Sequence, residues 1–532
     1  MKPAAVTRYW GAVNIPVGET KRLCRPYYAP FVARATADKD AGSSSFTVSN
    51  PATGEGLSTV STPTSEEVNT TVEDAHAVFT SGVWSSQPAH ARAVALSRLS
   101  RALAERVAEF AQLETLQTGR AIREMKAQLG RLPEWLEYYA SLLRTRADYV
   151  APTQGALLNY VQRVPLGVVA QITPFNHPLL IAMKKIAPAL AAGNSVIVKP
   201  SEHAPISVLE FAEMTVDAGL PRGVLSVLPG GADVARQLAG HPLVRKVDIT
   251  GGTAAGRSLG SIVGENLASY TAELGGKAPI VILEDADLDA AVNGAAFAAF
   301  VASGQTCVSG TRLIIQAGIY DAFMERFLAK VASITKRMGS PNNPASTMGS
   351  VIGAPQLARM HDMVKGRGSG RILAGGEPLT GKSSLDGFDF SRGSFYPPTV
   401  IGDIETSDEL WREEVFGPVV VTRRFETEDE GVALANDCRY GLGAGLWTRD
   451  LSRAHRLAAR IQAGLVWVNT HHRNDPSSPW GGMKESGIGR ENGQEAFAAY
   501  TQSKSTIVSV AAPEQMVGED WFAESAAGKR YG

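Results

Sequence analysis

Apolar positions along this chain change period twice. In the stretches 89–118 and 120–146, Ala, Leu, Arg and Glu recur at helical spacing, with Leu96, Leu99 and Leu103 on one stripe. That pattern predicts helices that bury a single face. Upstream, Thr64 followed by Glu67 fits a capping box that opens another helix. From residue 164 the texture becomes short β-branched runs: VPLGVVAQIT, NSVIVKP, GVLSVLPG, VRKVDIT and APIVIL. Helical stretches at 179–192, 206–218, 232–239 and 254–263 separate several of them. Strand alternating with helix predicts parallel strands joined by crossover helices, an open doubly wound α/β sheet. A second helix–strand series runs from 287 to about 470 and predicts a second α/β domain. Residues 38–45, DKDAGSSS, read as a linker.

Composition narrows the class. A chain of 532 residues exceeds what one hydrophobic core usually organises, so two large domains are expected. Hydrophobic content of 44% and charged content of 20% fit a soluble globular protein. A formal net charge of −1 argues against a nucleic-acid partner. No uninterrupted apolar run reaches the roughly 18 residues of a membrane span. Three cysteines, Cys24, Cys307 and Cys438, do not make a disulfide framework and point to a reducing compartment. The first 25 residues carry Lys2, Arg8, Lys21, Arg22 and Arg25 against Glu19. Gly and Pro interrupt any amphipathic helix there, so the segment reads as a plain extension on a cytoplasmic protein, with organelle targeting as the alternative.

The chemistry centres on Cys307, in SGQTCVSGTR, and Glu273, in AELGGKAP. A thiolate attacks carbonyl carbon, and a carboxylate can activate the water that clears the adduct. A single cysteine is as readily a small buried hydrophobe, so the neighbours matter. KVDITGGTAAGRS reads as strand, tight turn and helix, with Gly251 and Gly256 at a helix start that offers N–H groups to phosphate. In NSVIVKPSEHAP, Lys199 and Glu202 lie at a strand's carboxyl end, where open α/β sheets bind ligands. Glu202 can accept from a ribose 2′-hydroxyl and would repel a 2′-phosphate, which favours NAD, with NADP as the alternative. Asn176, in ITPFNHPLL, carries an amide able to stabilise an oxyanion. EEVFGPVV supplies Glu414 and Phe416 for a ribose and an aromatic contact, and WGGMKESGIGRE is a Gly-rich bend. Each of these has a plain structural explanation when taken singly.

Together and in this order, FTVSNPATGE, ITPFNHP, VIVKPSE, DITGGTAAG, ELGGKAP, GQTC, EEVFGPVV and PWGGMKESGIGRE resemble the aldehyde dehydrogenase superfamily over roughly residues 46 to 510. The resemblance implies Cys307 as nucleophile, Glu273 as general base, and Asn176 with the Cys307 N–H as oxyanion hole. It implies coenzyme contacts from Lys199, Glu202, Gly251, Gly256, Glu414 and Phe416, with Lys185 and Glu491 in support. Gly252 departs from the Ser often found there. The implied architecture is a lead-in over 1–45, a Rossmann-like coenzyme-binding domain from 46–146 and 164–274, an α/β catalytic domain over 275–475, a small β oligomerisation arm from 147–163 and 495–512, and a tail over 513–532. Members are usually homodimers or homotetramers. The implied reaction oxidises an aldehyde to a carboxylic acid through a thiohemiacetal and a thioester. Glu273 separates this from the CoA-acylating branch, which generally lacks that carboxylate. A catalytically silent nucleotide-binding relative is the reading from another class.

The pocket residues bear on the substrate. Relatives acting on apolar aldehydes usually line the entrance with aromatics; here two such positions are His177 and Lys184. The loop NTHHRNDPSSPW offers His471, His472, Arg473 and Asn474, with Trp480 as a remaining aromatic wall. Polar and basic groups near a site favour an anionic or strongly hydrogen-bonding substrate: a semialdehyde, or an aromatic or heterocyclic aldehyde bearing carboxylate or hydroxyl groups. His471 and His472 lack partners at metal-ligand spacing, so no metal is expected.

Overall fold

The computed structural model describes residues 44–517 together with Phe522 and Glu524. The basic N-terminal segment, Cys24 and most of the 513–532 tail lie outside the described residues. Two largely parallel α/β sheets form the body. The first has six strands in the order Gly487–Ile488, Ser269–Glu273, Val244–Thr250, Val168–Thr173, Ser195–Pro200, Leu225–Val227. All its pairings are parallel except that of Gly487–Ile488 with Ser269–Glu273. Helices Pro178–Ala192, Ile206–Asp217, Ala232–Gly240 and Thr253–Glu265 make the crossovers at the expected places. Strand order reverses beside Val168–Thr173, since the next two strands extend to one side and the later ones to the other. The crevice at such a switch point, beyond the strands' carboxyl ends, is where doubly wound sheets bind ligands.

The second sheet has seven strands, in the order Arg371–Ala374, Thr399–Gly402, Val419–Phe425, Arg312–Gln316, Pro279–Ile282, Gly443–Trp447, Leu465–Val468. Only its first pair is antiparallel. A third, wholly antiparallel sheet joins Thr501–Ser509, Leu157–Pro165 and Tyr149–Ala151. Among the described residues no helix is long and apolar enough to cross a membrane.

Local chemistry explains most boundaries. Thr64 closes its capping box: its hydroxyl accepts from the Glu67 N–H, and its own N–H donates to Glu67 Oε2 at 2.7 Å. The helical stretches 89–118 and 120–146 resolve into four helices rather than two: Ala89–Glu105, Val107–Thr118, Ile122–Leu129 and Pro133–Thr145. Gly119, left-handed at φ 73°, ends the second of these, and Pro133 starts the last. Leu96, Leu99 and Leu103 are buried, as their stripe requires. VPLGVVAQIT also divides. Val164 and Pro165 end the antiparallel strand, Gly167 turns at φ 131°, and the parallel strand starts at Val168. APIVIL belongs to the second sheet, not the first.

Candidate active site

The segment carrying Cys307 is held in an unusual backbone path. Helix Leu288–Phe300 runs into a tight turn in which Ala302, Ser303 and Gly304 all adopt left-handed conformations, at φ 55°, 54° and 69°. Non-glycine residues rarely do so unless their surroundings impose it, and here they do. Glu124 accepts from the Ala302 N–H at 3.3 Å, and Ser303 Oγ donates to the Gly349 carbonyl at 3.0 Å. The Ile352 N–H donates to Gln305 Oε1 at 3.1 Å. A Cβ on Gly304 would overlap the Gly417 carbonyl oxygen, and one on Gly276 would overlap the Cys307 carbonyl oxygen. Beyond the cysteine, His471 Nε2 donates to the Val308 carbonyl at 2.7 Å.

Asn176 meets this segment from the first sheet. It follows strand Val168–Thr173, is buried, and donates from Nδ2 to the Gln305 carbonyl at 2.8 Å. An amide nitrogen has two N–H groups, so this bond, two residues before Cys307, leaves one of them free. Glu273 ends strand Ser269–Glu273 and is buried, and neither carboxyl oxygen has a partner among the described residues. Gly481 packs so tightly that an added Cβ would stand 2.7 Å from Glu273 Oε1.

A buried charge cluster lies next to these groups. Lys184 and Lys185, successive residues of helix Pro178–Ala192, each take one oxygen of Glu491: Lys184 Nζ to Oε2 at 2.5 Å and Lys185 Nζ to Oε1 at 2.6 Å. Lys185 also pairs with Asp248, which accepts from Tyr500 Oη at 2.7 Å. Lys184 Nζ lies 4.4 Å from the centre of the Trp480 ring, a cation–π contact. Trp480 and Glu491 exchange backbone hydrogen bonds of 2.7 Å in both directions, closing the WGGMKESGIGRE bend into a ring.

Protonation follows from this setting. Burial pushes the Cys307 thiol up to about 12; Lys184 opposes the shift, and Glu414, Glu273 and Glu491 add to it. Burial, with Glu491 adding, raises the Glu273 carboxyl well above the usual carboxylate range against the pull of Lys184 and Lys185. Burial alone would raise Glu491 too, but its two ammonium partners bring it down to about 2. Burial thus favours the neutral form of both Cys307 and Glu273, and Lys184 is the cation that favours ionising either.

The expected coenzyme residues gather at the switch-point crevice. Lys199 lies inside strand Ser195–Pro200 and is 3.7 Å from Glu202, which is outside the strand and more exposed. Gly252, not Gly251, is the N-cap of helix Thr253–Glu265, and no side chain caps it, so the first-turn N–H groups are unclaimed by a cap. A Cβ on Gly252 would meet nothing within 4 Å, whereas one on Gly256 would come 2.5 Å from Leu274 Cδ2. Gly256 thus serves close helix packing, and Gly252 leaves open space. The Gly251 N–H donates to the Glu273 carbonyl at 3.0 Å, joining the turn to the buried acid. Glu414 accepts from the Gly276 N–H at 3.0 Å, and burial lifts its carboxyl to about 7. Phe416, left-handed at φ 55°, stands edge-to-face with Phe175 at 5.7 Å. A cavity of about 400 Å³ opens beside Phe175, lined also by His203, Gln356 and Arg359.

The residues expected on the substrate side separate into two groups. His177, Lys184, His472 and Trp480 come together: His177 and His472 rings lie 6.0 Å apart, and His472 and Trp480 rings 6.1 Å apart. Trp480 packs with Val308, Leu442 and Trp467, and Cys307 rests against that group. Lys184 is buried, not at the surface. Arg473 is exposed, and its carbonyl accepts from Trp467 Nε1 at 3.1 Å. Asn474 is tied up by structure: Oδ1 accepts from Asn492 Nδ2 at 2.9 Å and its carbonyl from Arg131 at 2.7 Å. Three further residues surround the site: Arg120, which no motif announces, Gln305, inside GQTC, and His471, in the loop before Trp480. Arg120 is a buried cation that donates to the Asn176 carbonyl at 3.1 Å from fifty-six residues upstream; its only signal in the sequence is one arginine after a helix-ending glycine.

Comparison with known proteins agrees with this arrangement. The model of the aldehyde dehydrogenase family matches residues 38–506. A structure from Burkholderia cenocepacia, assigned to the aldehyde dehydrogenases, is 41% identical, with 88% of this chain and 94% of that one covered and a TM-score of 0.84. PnpE from Pseudomonas sp. WBC-3 is 39% identical, with 88% and 95% covered and a TM-score of 0.84. Betaine aldehyde dehydrogenase from Staphylococcus aureus, in complex with NAD+, is 33% identical, with 91% and 95% covered and a TM-score of 0.86. Matched through both sheets and across the cysteine segment and the switch-point crevice, the chain belongs to the aldehyde dehydrogenase family.

Proposed function

We propose that this enzyme uses NAD to oxidise a polar or anionic aldehyde to its carboxylic acid, with Cys307 as nucleophile, Glu273 as general base and Asn176 in the oxyanion hole. The observation that carries the reading is Glu273: a buried carboxyl with both oxygens unpartnered, at a strand end beside the cysteine segment. A purely structural acid would have found hydrogen bonds. The coenzyme reading rests on the uncapped helix start behind Gly252, the open space there, and Lys199, Glu202, Glu414 and Phe416 around one crevice. These groups fit a dinucleotide: N–H groups for its phosphates and carboxylates for its ribose hydroxyls. Family membership and the NAD+-bound S. aureus relative support the same coenzyme.

The residues divide the work as follows. Cys307 gives its proton to solvent water, and the resulting thiolate attacks the aldehyde carbon. The oxygen takes up negative charge and is met by the free N–H of Asn176 and the Cys307 backbone N–H. A bound NAD would supply the hydride acceptor that turns this thiohemiacetal into the thioester. Glu273, once ionised, takes a proton from water, and the hydroxide opens the thioester to release the acid and the Cys307 thiol. Lys184 favours both ionisations through its charge, and Lys185 favours that of Glu273.

The substrate class follows from His177, His472 and Lys184, which give the chamber beside Trp480 donors and positive charge where an apolar substrate would have no use for them. The account favours semialdehydes and aromatic or heterocyclic aldehydes bearing carboxylate or hydroxyl groups. We place self-association at the antiparallel sheet, where Tyr149, Val150, Ile507 and Val510 are 61% to 64% exposed. The test is NADH formation, without CoA, across aliphatic, aromatic, hydroxyaromatic and carboxylated aldehydes, beside Cys307→Ala. The expected result is turnover that favours the polar members and vanishes in the variant. Turnover in Cys307→Ala, or a dependence on CoA, would contradict the mechanism; a preference for apolar members would contradict the substrate class.

A further inference from the structure

Asn176 and Cys307 reach the site from different sheets, so the gap between them has to be set by contacts that cross from one to the other. One such contact is the bond from Asn176 Nδ2 to the Gln305 carbonyl. A second connection runs through side chains that lie outside both motifs. Arg120 stands just before helix Ile122–Leu129, and Glu124 is in its first turn. The two form an ion pair in which Arg120 Nε and Nη2 each lie 3.2 Å from Glu124 Oε2. The Arg120 side chain is 3% exposed and that of Glu124 15%, so salt screens the pair little.

Each partner also grips one half of the site. Arg120 Nη1 donates to the Asn176 carbonyl at 3.1 Å, and it lies 2.8 Å from Gln128 Oε1 and 2.7 Å from His177 Nδ1. Glu124 accepts from the Ala302 N–H, with both oxygens 3.3 Å away. Ala302 is the first of the left-handed residues that lead to Cys307. A continuous path therefore runs from the backbone of Asn176, through guanidinium and carboxylate, to the backbone of the turn before the cysteine. All three nitrogens of Arg120 have protein partners, which makes it a support of the site and not a substrate contact.

The chemistry of the pair points to geometry as its purpose. A buried ion pair is weak evidence for stability, since well-packed apolar residues of similar volume often serve as well. No apolar pair could make these bonds, because the Asn176 carbonyl needs a donor and the Ala302 N–H needs an acceptor. A planar guanidinium meets a carboxylate in a defined geometry. The turn it braces consists of left-handed residues, which persist only where their surroundings over-determine them.

We propose that Arg120 and Glu124 are positioning residues that set the spacing between the Asn176 amide and Cys307, and through it the rate at which Cys307 is acylated. The proposal rests on the oxyanion role of Asn176 given above and adds a remote determinant of it.

A double-mutant cycle tests this. The readout is the rate of the first NADH turnover in rapid mixing, at saturating NAD and aldehyde, for the unsubstituted enzyme, Glu124→Ala, Asn176→Ala and the double variant. Glu124→Ala should slow that turnover about tenfold or more, since misplacement by an ångström costs on the order of a hundredfold. In the Asn176→Ala background the same substitution should do little, because the amide it positions is gone. Glu124→Gln, whose side-chain carbonyl can still accept from Ala302 and Arg120, should recover much of the rate. Alkylation of Cys307 by iodoacetamide, which builds no oxyanion, should be little changed by Glu124→Ala. Should Glu124→Ala fail to fold, Arg120→Lys takes its place in the cycle, since one ammonium cannot span the same acceptors. Losses that multiply in the double variant, a first turnover unaffected by Glu124→Ala, or alkylation that falls as far as the turnover would each overturn the proposal alone. An Asn176→Ala enzyme that turns over at the unsubstituted rate would overturn the oxyanion reading and this proposal with it.

Discussion

Gly276 shows how far the site depends on single atoms. A methyl group there would overlap the Cys307 carbonyl oxygen, and the neighbouring Gly275 stands so close to Glu414 that a Cβ would lie 2.5 Å from Oε2. Gly276→Ala should therefore push the cysteine segment away from Asn176. A displacement near an ångström in a reacting group costs on the order of a hundredfold in rate. Steady-state kcat in a variant that still melts cooperatively is the measurement; near-normal kcat would show that the segment relaxes freely. At this scale the sequence was uneven to read. Cys307, Glu273 and Asn176 stand inside short motifs whose order carries information, so they were legible. Arg120 was not, because its role comes from tertiary contacts with Asn176 and His177. Gln305, inside GQTC, and His471, in the loop before Trp480, were in view, but their bonds to Asn176 and Val308 were not. Lys184 was legible as a candidate, but its burial between Glu491 and Trp480 was not. Arg473, adjacent to His472 in sequence, ends up exposed, since a left-handed residue at His472 redirects the loop.

Elements were easier than their ends. Strand–helix alternation located the first sheet because fully buried parallel strands are continuous β-branched runs, as in Val168–Thr173 and Ser195–Pro200. Periodicity located the helical region before residue 146 and its break at Gly119, but not the breaks at Arg106 and over 130–132, where the sequence stays rich in helix formers while the backbone turns. The cysteine segment lies where periodicity has nothing to report. Its three left-handed residues are imposed by Glu124, Gly349 and Gly417 from three other parts of the chain. Helix Pro178–Ala192 is the element on which the site turns. Its N-cap is His177, its second turn carries Lys184 and Lys185, and it delivers donors both to the chamber and to Glu491. Breaking a buried ion pair by removing one partner costs about 3–5 kcal/mol. Lys185→Met should therefore lower the unfolding free energy by about that amount in denaturant titration, and an unchanged midpoint would show that Asp248 and Glu491 are not uncompensated without it.

At the scale of the whole molecule, neither sheet holds the chemistry alone. Glu273 and Asn176 come from the first sheet and Cys307 from the connection between strands Pro279–Ile282 and Arg312–Gln316 of the second, so the proposed catalysis requires the two to be held in register. The antiparallel sheet contributes no candidate site residue, yet it bears a band of exposed apolar side chains, which a stable monomer seldom displays. Ile507→Asp should shift the enzyme toward smaller species in light scattering, and an unaltered mass would move the interface elsewhere. The central claim is that Glu273 clears the acyl-enzyme that Cys307 forms. Rapid-mixing kinetics of Glu273→Gln with NAD and a carboxylated aldehyde tests it most directly. The account predicts a burst of NADH close to one per active site, followed by acid release slowed at least about a hundredfold. It also predicts that acid release by the unsubstituted enzyme climbs as pH rises through the elevated Glu273 pKa, because only the ionised carboxylate can take a proton from water. Multiple turnovers at the unsubstituted rate in Glu273→Gln would contradict it.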